Sequence, residues 1–287
     1  MTLSRNLTGW LYVSPLLIVL VPFFLVPIGV ITVASFFESD GFGGFIYEFT
    51  LDNYIGVLTS DLTLRLYLSA FKFAALTWLF TALLGFWIAY FLVFHVRNQL
   101  LAIGLFLVCT VPFWTSTIIR MISWIPLLGK EGLINSGLQG VGAIDQPLEF
   151  LLFSDFAVIV AYVHQLTIFM IVPMFNSLAR IDPRLVEAAR DNGATRWDVM
   201  RLVIFPMSKS GLALGSIFVL SIVMGDFLVV RVMSGGGSAS IVGALYEDIS
   251  VLQYPPAAAS AVVLTIVVMV MIVLILRTVN IRKELSR

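Results

Sequence analysis

The sequence predicts an all-α polytopic membrane protein with six transmembrane helices, and three observations carry that expectation. The 287 residues are 60% hydrophobic and only 12% charged, against roughly 25% charged for a soluble domain. Mean hydropathy is +1.02. The apolar residues are also gathered into runs of roughly 20, the length at which a helix crosses the hydrocarbon core. A membrane barrel would show alternating segments of roughly ten residues instead, and none is present.

The first run is predicted over about 11–37, with Pro15, Pro22 and Pro27 inside it. It is too long for a signal-peptide core and lacks a small-residue cleavage site, so it is expected to be a retained helix. Membrane helices tolerate prolines when neighbouring groups satisfy the freed carbonyls. A polar, acidic stretch from Glu38 to Asp61 follows. The second run is predicted over 66–94, with Lys72 one turn in and snorkelling outward. After a link from His95 to Gln99, the third is predicted over 100–119. A Gly-rich segment from Arg120 to Asp155, broken by Pro126 and Pro147, is expected to be irregular. The fourth run is placed at 156–175, the fifth at 212–232 and the sixth at 257–276. Between the last two, Ser234–Ser240 and Tyr246, Glu247 and Asp248 are expected in a loop. The whole chain, 1–287, is expected to be a single transmembrane domain.

Orientation follows from Lys and Arg, which are enriched on the cytoplasmic side. With the N-terminus inside, the inner segments hold Arg5, Arg97, Arg180, Arg184, Arg190, Arg196, Arg201, Lys209, Arg277, Arg282, Lys283 and Arg287. The outer segments hold Arg65, Lys72, Arg120, Lys130 and Arg231. Twelve against five predicts that both termini are cytoplasmic. Most acids fall on the outer side, Asp155 among them. That bias is either plain solvation or a means of concentrating cations at an outer mouth.

Composition removes several function classes. Net charge is zero, which gives no bulk attraction for nucleic acid. The lone Cys109 excludes an intrachain disulfide and a Cys-rich metal site and reads as a small buried hydrophobe. His95 and His164 lack metal-ligand neighbours and read as packing or hydrogen-bonding residues. No Gly-x-x-x-x-Gly-Lys-Ser/Thr phosphate loop occurs, and no catalytic cluster recurs on one helix face, so an enzyme is not expected.

The stretch 176–209 reads as two short helices. Asp182 caps the first and Pro183 suits its first turn. Gly193 supplies a left-handed stop. Thr195 caps the second, with Asp198 in capping-box position, and Pro206 is expected to end or kink it. A DNA-reading helix pair is excluded by the short tether between two membrane runs. Small Ala188 and Ala189 permit close approach of another surface. Glu187, with Asp191 four residues on and Arg184 and Arg190 nearby, offers charge-assisted contacts. The alternative is a solvated connector folded back on its own bundle.

Glu187, Ala188, Ala189, Gly193, Val203, Phe205 and Pro206 resemble the Glu-Ala-Ala loop of ABC importer permeases. Val203 and Phe205 replace the usual Ile and Leu and leave the spacing intact. Less specifically, Pro112–Thr115, Arg120, Trp124, Leu128–Asn135 and Gly225–Phe227 are similar to segments of spermidine/putrescine-type permeases. Permeases for iron, thiamine, sulfate and phosphonates share parts of this architecture. The resemblance implies a type I importer permease fold and alternating access. It also implies a coupling helix through Glu187, Ala188, Ala189, Arg190, Gly193 and Pro206. The partners it implies are an ATP-binding subunit dimer that carries ATP and Mg, a second permease subunit, an extracytoplasmic solute-binding protein and membrane lipid. No cofactor is expected on this chain.

An ionisable group inside a span usually faces protein or a watery path, and Asp226 is the clearest case. Arg231 could partner it only in a locally irregular helix. For a polyamine, a carboxylate and aromatic faces are the expected wall, which singles out Asp226, Phe227, Trp114 and Trp124. For the aromatics, the alternative is the interfacial belt or packing. Arg120 opposes a simple cationic lining unless it pairs with an acid. A secondary transporter would show more intramembrane charges or inverted repeats.

Overall fold

The computed structural model describes residues 5–278, with side chains from Tyr12 onward. The Arg5 side chain and Arg282, Lys283 and Arg287, used above for orientation, lie outside the described residues. The fold is mostly helical. In chain order the helices are α1 (Arg5–Leu20), α2 (Val26–Ala34), α3 (Asp52–Thr59), α4 (Asp61–Phe94), α5 (Gln99–Thr110), α6 (Thr117–Leu128), α7 (Leu133–Gly140) and α8 (Asp155–Leu178). They continue as α9 (Pro183–Asp191), α10 (Arg196–Val199), α11 (Phe205–Met207), α12 (Lys209–Met224), α13 (Leu228–Met233), α14 (Ile241–Ser250) and α15 (Tyr254–Arg277). Among the described residues four helices are long and apolar enough to cross a membrane: Tyr12–Ala34, Asp61–Phe94, Asp155–Leu178 and Tyr254–Arg277. Two bent pairs, Gln99–Trp114 with Thr117–Gly140 and Arg196–Met207 with Lys209–Met224, bring the number to six if each is one span.

The chain divides into two units. The first joins the N-terminal segment up to Leu64 with Ala244–Val267. Its α1 and α2 run on through a π-helical turn, Val21–Leu25, because Pro22 and Pro27 donate no N–H to the ladder. A two-stranded antiparallel hairpin follows, β1 (Glu38–Ser39) against β2 (Phe45–Ile46). Its turn is closed by the Asp40 carboxylate, which accepts from the Phe42 and Gly44 amides at 2.8 and 2.7 Å. Asn53 ties α3 to the end of α2, donating to the Ser35 and Phe37 carbonyls at 3.0 and 2.8 Å.

The second unit joins Arg65–Gly243 with the chain from Val268. Its centre is α8. Tyr162, Leu166, Met170, Met174 and Leu178 are all buried and recur every fourth residue, which keeps them near one face of a helix. That face meets the small-residue side of α12. A Cβ on Gly211 would lie 2.6 Å from the Pro173 carbonyl oxygen, and one on Gly215 would strike the Met170 sulfur. On the α4 side, a Cβ on Gly85 would lie 2.6 Å from Met170 Cγ. Membrane helices associate through such close approaches because lipid supplies no hydrophobic drive between them. The Trp78 indole N–H donates to Ser216 Oγ at 2.6 Å and adds a polar tie between α4 and α12.

Several expectations need correction. The third run is not one straight helix: α5 tightens into a 3-10 turn at Val111–Trp114, and the chain bends by 94° before α6. Pro112 donates no N–H and Thr115 is extended, so the ladder cannot continue. Pro126 does not break the following segment; it lies inside α6, which continues to Leu128. The irregular stretch beyond is tied by buried Asn135, which donates to the Gly129 carbonyl at 3.0 Å and accepts from the Leu148 amide at 2.8 Å. The fifth run breaks at Gly225–Phe227. The kink expected at Pro206 is present: after a π-helical turn at Met200–Ile204 the helix ends at Met207, and the chain bends by 59° into α12. Tyr246, Glu247 and Asp248 lie on α14, not in a loop. Lys72 does not snorkel freely; it is ion-paired with Asp155 at 2.6 Å.

The glycine contacts generate a test. Gly211→Ala should cost about 1–3 kcal/mol, because a backbone carbonyl blocks the new methyl and α8 and α12 must part. Gly104→Ala, with nothing within 4 Å of its Cβ position, should be neutral. Thermal midpoints of the detergent-purified protein check both.

Candidate functional site

The predicted coupling segment forms as the sequence specifies. The Asp182 carboxylate accepts from the Arg184 amide at 2.9 Å and opens α9 with Pro183 in its first turn. Gly193 adopts φ +82°. Its amide bonds the Arg190 carbonyl at 2.9 Å, and the Ala194 amide bonds the Ala189 carbonyl at 3.0 Å. This paired pattern is the Schellman stop. A reciprocal box then starts α10: the Asp198 amide donates to Thr195 Oγ1 at 3.2 Å, and the Thr195 amide donates to Asp198 Oδ2 at 3.0 Å. The Thr195 hydrogen bonds hold the Asp198 carboxyl below the usual carboxylate range.

The outward side of this loop is open. Glu187, Ala188 and Arg190 are exposed, and Leu185 and Trp197 are exposed apolar residues. Val186, Glu187, Arg190 and Arg196 also line a cavity of about 520 Å3 with Tyr90, Phe94 and His95. His95, expected to be a packing residue, stacks on Phe91 with ring centroids 5.8 Å apart.

The second candidate region lies where α6, α8 and α13 meet. Gly225 ends α12, and its amide donates to the Ser221 carbonyl at 3.1 Å. The Asp226 carboxylate then starts α13: its Oδ1 accepts from the Val229 amide at 2.9 Å and from the Tyr162 hydroxyl at 3.1 Å. Asp226 is therefore a capping group inside the bundle. The local irregularity that would let Arg231 reach it exists, yet the ion pairs among the described residues are Lys72–Asp155 and Lys130–Glu149. Trp124 donates its indole N–H to His164 Nδ1 at 3.2 Å. Both border an apolar groove of about 730 Å3 with Phe80, Leu84, Cys109 and Val163. Arg120 has buried Nε and Nη1 without hydrogen-bond partners, and its Nη2 reaches Thr117 Oγ1 at 3.4 Å.

The structure thus brings Arg120, Trp124 and Asp226 to packed elements, with Tyr162 and His164 between them. Trp114 is 82% exposed and joins no such cluster, while Phe227 is half-buried at the helix break. Tyr162 was not singled out from sequence; a tyrosine in an apolar run carries no signal until its partner is known. Among the described residues no group of three or more His, Cys, Asp or Glu could hold a metal.

Residues 82–284 match the family described as binding-protein-dependent transport system inner membrane component. The chain belongs to that family. It is an inner-membrane permease and not an enzyme. The permease is 32% identical to the spermidine/putrescine transport system permease protein PotB of Escherichia coli (strain K12) over 90% of its own length and 89% of that protein. It is 31% identical to PotB of Haemophilus influenzae over 78% of its length and 77% of the relative. The inner membrane ABC transporter permease protein YdcU of Escherichia coli (strain K12) is 26% identical over 66% of this chain. Among solved structures, a chain of a bacterial alginate ABC transporter in complex with alginate pentasaccharide-bound periplasmic protein superposes with a TM-score of 0.74. That likeness covers 94% of this permease and 93% of that chain at 17% identity, and it establishes the fold.

Asp226 offers a separation of structure from charge. Asparagine keeps the carbonyl oxygen that accepts from Val229 and Tyr162, whereas alanine removes it. Asp226→Asn should leave the thermal midpoint of the purified permease near wild type, and Asp226→Ala should lower stability by about 1–3 kcal/mol.

Proposed function

We propose that this permease moves an oligoamine such as spermidine or putrescine inward by alternating access, driven by a partner ATPase through α9. In this reading the chain is one transmembrane domain with six spans, each bent pair counting as one, and both termini in the cytoplasm. It works with an ATP-binding subunit dimer that holds ATP and Mg, a second and related permease subunit, an extracytoplasmic solute-binding protein and the surrounding lipid. The observation that carries the coupling is the exposed, doubly capped helix α9 with its left-handed glycine. Its stop and restart are fixed by backbone hydrogen bonds, so a partner meets a preformed rod. The oligoamine reading rests on the 32% identity to a spermidine/putrescine permease across nine-tenths of the chain. Nucleotide biases the bundle only if the contacts on Glu187, Ala188, Ala189 and Arg190 differ between two states.

Asp226, with Phe227 next to it in the chain, is the proposed cation-facing part of the path; Trp124 borders the apolar groove on α6 and α8, and Trp114 is exposed. One observation favours a different cargo. The unpartnered nitrogens of Arg120 suit an anion, which would point to a sulfate- or phosphonate-type solute.

Uptake into proteoliposomes holding the full importer decides between these cargoes. ATP-dependent accumulation of labelled spermidine or putrescine is expected, and accumulation of sulfate or phosphonate in its place would overturn the oligoamine reading. Glu187→Arg or Gly193→Pro should abolish that uptake while membrane insertion stays normal. Full uptake by correctly assembled variants would remove α9 from the coupling path.

A further inference from the structure

We infer that Asp155 is a station for one ammonium group of the transported cation, and that Lys72 is its resident competitor. The inference rests on the oligoamine reading above and adds a place where the cargo is handled. Asp155 opens α8, and each of its carboxylate oxygens is taken. Oδ2 meets Lys72 Nζ at 2.6 Å, and Oδ1 accepts from Ser238 Oγ at 2.6 Å. The Lys72 ammonium also lies 4.9 Å from the centroid of the Phe73 ring. A carboxylate and a hydroxyl are what an alkylammonium needs, and here a lysine side chain occupies the carboxylate; Phe73 is fully buried and only lies beneath it.

The site is both built and reachable. The Lys72 and Asp155 side chains are 47% and 44% exposed, so a solute ammonium can approach without unfolding anything. Ser238 is held in place by its loop. Gly235, at φ +60°, lies so close to the Phe153 ring that a Cβ there would come within 2.8 Å of it. Phe153 itself has φ +53°, a conformation uncommon outside glycine. The loop is thus pressed onto the start of α8 at some local cost.

A second carboxylate, Asp226, is held against the same helix by Tyr162. Tyr162 follows Asp155 by seven residues, which is two turns on one face and about 10 Å of rise. Its hydroxyl donates to Asp226 Oδ1 at 3.1 Å. A cargo with two or more ammonium groups can hold the first carboxylate while reaching for the second, with the gain in effective concentration that linkage brings. A monoamine cannot. When cargo moves on, Lys72 returns to Asp155, so the carboxylate is never left bare at the membrane edge, where an unpaired charge is costly.

A purely structural ion pair behaves differently, and the sign of two variants separates the cases. Spermidine is titrated onto the assembled membrane complex, consisting of this permease, its second permease and its ATPase. Wild-type uptake is measured in parallel with the binding protein present. Lys72→Gln should tighten spermidine binding about threefold and Asp155→Asn should weaken it about threefold, magnitudes fitting a half-exposed pair. The double variant should match Asp155→Asn alone. If Lys72→Gln does not assemble, Lys72→Arg serves: a stronger competitor on Asp155, it should weaken spermidine binding, and unchanged affinity would overturn the inference. Loss of affinity in both single variants, in step with loss of assembled complex, would make the pair structural and sink the station. Wild type that accumulates no oligoamine fails the reading beneath it, visibly and before any variant is compared.

Discussion

The second unit depends on one steric fact: Met170 of α8 sits between two glycines on two other helices. Gly85 of α4 and Gly215 of α12 both lie where any larger residue would run into it. Lipid tails are as apolar as leucine, so these helices gain nothing from hiding oily surface from oil. What they gain is dispersion contact, and that needs backbones close enough for one long flexible side chain to fill the seam from both sides. The four-residue ladder from Tyr162 to Leu178 is the continuous form of this contact.

The lock also determines how the loop carrying α9 is mounted. The segment 179–208 leaves from the end of α8 and returns at the start of α12, the two helices held most closely together. Ser177 strengthens that joint, donating to the Met207 carbonyl at 3.1 Å and lying 3.0 Å from the Ser210 hydroxyl. Both ends of the loop therefore stand on one platform. In the proposed coupling role, α9 would act on α8 and α12 as a pair, because Pro173 and Met170 leave no space at Gly211 and Gly215 for one to slide past the other.

Legibility from sequence followed how local each cause is. The caps of α9 and α10 were readable from Asp182, Gly193, Thr195 and Asp198 because each acts within about four residues of itself. The long runs were readable because hydrocarbon thickness sets their length. The breaks were less so. Pro112 lies in the 3-10 turn that follows α5, while Pro126 and Pro173 sit inside helices, so a proline alone does not say whether a run breaks. Gly225–Asp226 looked like part of a span because nothing in an apolar run says that a carboxylate will cap the next turn. Lys72 with Asp155, and Tyr162 with Asp226, were invisible because each pair is separated by more than sixty residues of chain.

Those two distant pairs explain why the acids of this bundle sit where they do. A carboxylate near the hydrocarbon boundary persists only with donors supplied in advance. Asp226 receives them from a helix start and a tyrosine, so its position is tied to the break that makes α13 a separate helix. Asp155 receives them from a lysine and a serine on two other segments, so its position is tied to the approach of α4 and the glycine loop toward α8. The first arrangement is built into the backbone and changes only if the helix break changes. The second is made of side chains at a half-exposed edge and can be exchanged one partner at a time.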